Sequence, residues 1–286
     1  MKSLSEQQIM NELKAIAPKT GVTINDLRVI LALERVVARI EAEPRLANHL
    51  IFKGGFVLFK SIDTTRYTRD VDALANDIAQ TDVASLMISA LYRDLSDCCW
   101  FRDAQEEPLP NQGPYGGLRI NVAFHIANHP PSVTQIKKLS RIHIDIGFGD
   151  SIQVPKQKSI MYSILSKIDP VSWFVYPLES VFAEKLEALL RRGSANSRAK
   201  DIHDLVLLFD RCQDASALKT AIEATFKNRK MSLPKSFSQT VEAFDTEILK
   251  RSWNSIVIMG AKETFEATRT ALLQRLKKLD DLQNQS

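Results

Sequence analysis

The chain has 286 residues, 44% apolar and 25% charged with a net charge of +4, which is the balance of a globular protein with room for one large or two ordinary domains. That balance excludes fibrous and disordered classes, and the three cysteines, adjacent Cys98 and Cys99 with remote Cys212, match neither a disulfide framework nor a metal-ligand spacing. No run approaches the ~18 to 20 apolar residues of a membrane span, and Met1 to Gln7 lacks the apolar core of a signal peptide, so a cytoplasmic protein with no membrane partner is expected.

Helical periodicity runs through about Ser5 to Ala17 and Ile24 to Glu43, the second carrying Leu27, Ile30, Leu31, Val37 and Ile40 in a broad apolar stripe. A short strand at Ile51-Phe52 then leads into Lys53-Gly54-Gly55 and a helix from Phe56 to Ile62. The two glycines remove side chains where a backbone could approach a triphosphate, and the free N–H groups ahead of the helix could cradle it. A strand follows at Asp70 to Leu74. Alternation along that strand points Asp70 and Asp72 to one face with Val71 turned behind them. Two hard anionic oxygens side by side suit Mg²⁺, with Mn²⁺ as an alternative, and such an ion bridges carboxylates to substrate phosphates. A D-x-D is also common on solvated strands, and Gly-Gly is often only a turn, so neither settles the matter alone.

Further along, the pattern predicts a helix from about Thr81 to Ser96 and strands near Cys98 to Arg102, Gly117 to Ile126 and Ser140 to Phe148, with Glu106 to Gly117 as a loop. In the last strand Ile142, Ile144 and Ile146 share one face while His143 and Asp145 share the other. Asp145 could complete a metal cage and accept a proton from an attacking hydroxyl, or it could simply face water on a half-exposed sheet.

After Pro177 the chain reads as almost purely helical. Leu178, Phe182, Leu186, Leu189 and Leu190 form an apolar arc with Lys185 at its margin, where the ammonium must either snorkel or meet an anion. In Arg198 to Leu205, Asp201 falls inside the arc of Ile202, Leu205, Leu208 and Phe209, with Asp204 at its edge. Asp201 either caps the first turn or holds Lys185 or an incoming nucleotide. Residues 1–150 hold 17 Lys/Arg against 18 Asp/Glu and residues 151–286 hold 21 against 16, an excess compatible with RNA along the second half but too small to require it.

The ordered set Lys53-Gly54-Gly55, Arg66-x-Thr68-x-Asp70-x-Asp72, Ile144-Asp145-Ile146, Pro177-Leu178 with Ala183-Glu184-Lys185-Leu186, and Arg198-x-Lys200-Asp201-x-x-Asp204-Leu205 resembles the AbiEii/AbiGii nucleotidyltransferase toxins, including the MenT-type toxins of bacterial toxin–antitoxin systems. The resemblance covers nearly the whole chain. It implies a mixed α+β fold like that of the DNA polymerase β nucleotidyltransferases, with a short central sheet flanked by helices. Residues 1–176 would then form the nucleotidyltransferase core with its helical lead-in, and 177–286 a helical portion that completes the active site.

The resemblance also implies roles. Asp70, Asp72 and Asp145 would bind metal; these three with Lys185 and Asp201 would be catalytic; and Lys53, Gly54, Gly55, Arg66, Thr68 and Lys185 would meet the nucleotide. The implied reaction moves a nucleoside monophosphate from an NTP, with CTP or another pyrimidine favoured, to the 3′ end of tRNA, blocking aminoacylation and growth until a cognate antitoxin restrains it. Where family members usually place Thr or Ser after the glycines, this chain has Phe56, so a hydroxyl contact to phosphate is missing there. Thr68 leans toward Asp70, and a phosphate placed on it would inactivate the enzyme. Transfer to a protein hydroxyl, or a nucleotide-binding module without turnover, remain the alternatives.

Overall fold

The computed structural model describes residues 4–62, 64, 66–109, 116–149, 156–258 and 260–284. The chain divides into two compact units, Met1–Asp150 with Gln157–Val175, and Ser151–Lys156 with Tyr176–Ser286. In chain order the first unit holds helices α1 (Glu6–Thr20), α2 (Ile24–Glu41) and α3 (Pro44–Ala47), strand β1 (Leu50–Lys53), α4 (Gly54–Ser61), β2 (Asp70–Ala75), α5 (Gln80–Tyr92), β3 (Cys99–Leu109), β4 (Gly117–Ile126), α6 (Val133–Ile136), β5 (Arg141–Phe148), β6 (Gln157–Met161) and β7 (Val171–Val175). The second holds α7 (Leu178–Arg192), α8 (Ala199–Arg211), α9 (Ala215–Asn228), α10 (Phe237–Glu242), α11 (Glu247–Trp253) and α12 (Phe265–Asn284). This is the mixed α+β class expected from the residues.

All the described strands join one seven-stranded sheet in the order β3-β4-β5-β2-β1-β7-β6. β2 and β5 lie at its middle and run parallel, with Val71 beside Ile144, and Ile144 in turn beside Ile120 of β4. That row is fully buried, and α2 and α5 pack on strands of the sheet. Alternation therefore pushes the neighbours of this row, Asp70, Asp72, Asp145 and Arg119, to the opposite face.

Helix α1 starts on a capping box between Ser5 and Gln8 and stops where Gly21 turns left-handed at φ 71°. Helix α2 is buried almost all round, which a helix with charged residues tolerates only if each charge finds a partner. Glu34 accepts from Lys60 and from Ser163 and Ile164, while Arg35 and Arg39 both hold Asp97. Burial works to push the pKa of Asp97 up, but hydrogen bonds and charge from Arg39 and Arg35 outweigh it and hold the carboxyl below its usual range.

One sequence expectation changes here, and two strands appear that the sequence did not signal. Glu106 to Leu109 are strand, not loop: Glu107 pairs with Arg119 and Pro108 with Leu118. β3 is the sheet's outer strand, so the missing N–H of Pro108 costs no inner ladder bond; residues 110–115 of that expected loop lie outside the described residues. The strands β6 and β7 carry no clear alternation. β6 is a mostly exposed edge, and Trp173 of β7 is buried against Phe52 and Phe56. In the second unit α7 packs on α8 and α9, and α12 on α8 and α10. Asp280 of α12 fastens the start of α10 by accepting from the backbone N–H groups of Phe237 and Ser238.

Candidate active site

The face opposite the apolar row gathers most of the sequence candidates. Asp72 stands in register with Asp145 on the parallel neighbour β5, and Asp70 with His143, so two rungs of the sheet carry three carboxylates and an imidazole on one side. The antiparallel partner β1 sets Lys53 opposite Asp72, and α4 begins at the next residue. Lys53 occupies the N-cap position and its side chain makes no cap hydrogen bond, so α4 starts beside the aspartates without a cap from that residue.

The glycines make room for the chain's own groups. Gly54 has φ +75°, and a Cβ there would fall on the Asp72 carboxylate. A Cβ at Gly55 would lie 2.6 Å from Arg66 Nη2 and 3.2 Å from Thr68 Oγ1. The Gly-Gly pair is thus what lets Asp72, Arg66 and Thr68 crowd around the start of α4. Arg66 and Thr68 are both buried. The Thr68 hydroxyl donates to Asp70 Oδ1, and Arg66 Nη1 donates to the Tyr67 carbonyl at 3.3 Å. Tyr67 itself is pushed up by burial, and then by Asp26, so its phenol stays protonated.

Arg119 of β4, which no motif singled out, is the new member of this face. It lies directly across from Asp145, and its Nε and Nη2 donate to Oδ1 and Oδ2, both at 2.7 Å. The Asp145 hydrogen bonds raise the pKa of Arg119 further, with smaller contributions from Glu107 and Asp70, so the guanidinium is a fixed charge. Asp145 is accordingly buried rather than facing water. On the same face His143 Nδ1 is buried without a hydrogen-bond partner, and Arg141 Nε is held by Asn121 Oδ1 at 2.6 Å.

A divalent ion can be tested against this donor set. Asp70 and Asp72 present hard oxygens on one face at strand spacing, as a Mg²⁺ site needs. Asp145 does not join them as it stands: among the described residues no group of three His, Cys, Asp or Glu side chains is arranged to hold a metal, and both Asp145 oxygens are in the Arg119 fork. The pair fits the ion; the trio is a cage only if the fork opens.

The other candidates lie in the second unit. Lys185 of α7 reaches Asp201 Oδ1 and Asp204 Oδ2 of α8, each at 2.8 Å. The lysine of the apolar margin therefore meets anions, and Asp201 holds Lys185 while α8 starts without a side-chain cap. Both aspartates are buried, and His203 Nδ1 lies 3.5 Å from Asp204 Oδ1. Nearby Arg192 is lowered by burial and then by repulsion from Arg198, a local crowding of positive charge. Asp204 is a residue that the sequence placed in a motif without assigning it a role.

Residues 35–275 match the family model described as "Nucleotidyl transferase AbiEii toxin, Type IV TA system". Among solved structures, JHP933 from Helicobacter pylori aligns at a TM-score of 0.58 with 13% identity, over 92% of this chain and 96% of that one. A second H. pylori protein, described by inference as a nucleotidyltransferase, aligns at 0.57 with 12% identity, over 93% and 99%. At such identities the likeness is one of fold. No curated protein matches the sequence, and no described helix is long and apolar enough to cross a membrane.

Proposed function

Because the chain belongs to the AbiEii family of nucleotidyltransferase toxins from type IV toxin–antitoxin systems, we propose that it transfers a nucleoside monophosphate from an NTP to the 3′ end of tRNA and is restrained by a cognate antitoxin. The observation that carries this reading is the register of β2 and β5, which puts Asp72 beside Asp145 and Asp70 on the same face, next to the uncapped start of α4. That combination offers carboxylates for a cation and backbone N–H groups for phosphate within one small area.

In this mechanism Asp70 and Asp72 would hold Mg²⁺ or Mn²⁺, which supplies Lewis-acid polarisation of the α-phosphate and offsets charge on the triphosphate. The amides of Gly54 and Gly55 would meet the phosphates, and Arg66, which lies against Gly55, would clamp phosphate or brace the D-x-D strand. The 3′-oxygen bonds to the α-phosphorus, the P–O bond to the β-phosphate breaks, and pyrophosphate departs. Asp145 accepts the hydroxyl proton. Lys185 would offset charge on the leaving pyrophosphate, a role taken from the family motif alone. The excess of basic residues after position 150 suits an RNA acceptor.

The test is to incubate the protein with each of the four α-labelled NTPs, Mg²⁺, tRNA and total protein. Label at the tRNA 3′ end, lost in Asp70→Asn, is the expected result, with a pyrimidine nucleotide giving the strongest signal. Label in the protein fraction alone would overturn the acceptor, and no label in any fraction would overturn the activity.

A further inference from the structure

The Arg119–Asp145 pair has an ordinary explanation. Opposite charges at directly facing positions of antiparallel strands stabilise a sheet modestly, and many such pairs do nothing else. Three observations point beyond it. The fork occupies both oxygens of the one carboxylate that stands in register with Asp72, the position from which a third ligand would come. The two ends of the pair are unequally covered, since the Asp145 side chain is 8% exposed and that of Arg119 is 32% exposed, so the guanidinium can swing outward while the carboxylate stays. Finally, Arg119 is surrounded by negative charge, with Glu107 and Asp70 adding to Asp145, so removing it leaves a face of clustered carboxylates that only another cation can relieve.

Resting on the nucleotidyltransferase reading above, we propose that Arg119 is an exchangeable positioning residue, closing Asp145 in the empty protein and trading it for the phosphates of an arriving nucleotide–metal complex. One ion pair becomes two. The carboxylate is given up to a dication and the guanidinium to a polyphosphate, so neither charge is left uncompensated. Cation and triphosphate are thereby coupled: each alone must break the fork without help, whereas together they replace it.

The experiment measures Mn²⁺ binding to the full chain by calorimetric titration, and separately the binding of inorganic tripolyphosphate at saturating Mn²⁺. Arg119→Gln is expected to bind Mn²⁺ alone about tenfold more tightly than the parent, a coupling of ordinary allosteric size. Adding Asp145→Asn to Arg119→Gln should remove that gain, whereas Asp145→Asn by itself should change Mn²⁺ affinity little, because the fork already withholds the carboxylate. Arg119→Lys, which keeps the charge but loses the fork, should fall between. Tripolyphosphate should bind Arg119→Gln about tenfold more weakly. A lower melting temperature in Arg119→Gln with both affinities unchanged would reduce the pair to a sheet contact and overturn the exchange, while loss of Mn²⁺ binding in Asp70→Asn would leave the aspartate-pair reading standing. Absence of Mn²⁺ binding in every one of these proteins would overturn both.

Discussion

The cluster on the sheet face and the cluster between α7 and α8 each set one cation against carboxylates, and they are built for different purposes. On the sheet face, Arg119 holds Asp145 by both oxygens from a position one-third open to solvent, with Asp70 and Asp72 close by. Between α7 and α8, Lys185 holds Asp201 and Asp204, and its side chain is 13% exposed against 4% and 0% for the aspartates. A buried pair is costly to break because a charge is stranded in a poor solvent, whereas a partly exposed one is replaced by water at little cost. The helical cluster is therefore a fixed part, and the strand cluster can change partners.

The largest effect should come from the sheet face. Asp70→Asn and Asp72→Asn should each lower label incorporation by about a thousandfold, while the melting temperature stays level or rises as like charges are relieved. If either variant kept a tenth of the parent's rate, the aspartate pair would be surface charge.

Stability should separate the clusters in the opposite sense. Lys185→Ala removes the cation that Asp201 and Asp204 share, and urea unfolding should show a loss of about 3 to 5 kcal/mol. Arg119→Gln should cost less, because the Arg119 end of its pair is partly exposed and the carboxylate it leaves has more access to water than Asp201 or Asp204 has. Equal losses would erase the distinction between a fixed and an exchangeable pair.

Gly54→Ala should have an intermediate effect. A left-handed φ costs a non-glycine residue about 1 to 2 kcal/mol, and the added Cβ displaces the Asp72 carboxylate. Activity should therefore fall more steeply than stability, as rate and unfolding measurements on the same variant would show.

The smallest effect concerns pH, at a third ion cluster in the sheet-bearing unit. The folded pKa of Asp97 lies below its ordinary 3.8 because Arg39 and Arg35 outweigh its burial. A lowered carboxylate contributes stability that is complete above the unfolded value and is lost as pH falls through the folded one. Unfolding curves below about pH 4 should thus steepen in the parent relative to Asp97→Asn, and parallel acid profiles would contradict the assignment.

The legibility of these features in the chain follows their range. The D-x-D strand, the first two helices, and the positions of Lys185 and Asp201 depend on alternation and on 3.6-residue periodicity, which are local properties. Glu106 to Leu109 were misread because Pro and acidic residues look like loop until it is known that β3 lies at the sheet edge. The site was readable through Asp70, Asp72 and Asp145, but Arg119 was not. It sits in a strand whose limits are plain, yet nothing near it in sequence says what lies across from it.

By itself the sequence determined the mixed fold class, the ordered motifs of a nucleotidyltransferase and the face on which each aspartate of β2 points, because side-chain alternation and helical period are set by backbone geometry alone. Only the tertiary structure decided that Asp145 aligns with Asp72, that Arg119 closes on Asp145, and that the Gly54 and Gly55 positions are filled by Asp72, Arg66 and Thr68. Those depend on the register of strands far apart in the chain, and a shift of one residue would have sent each of these side chains to the other side of the sheet.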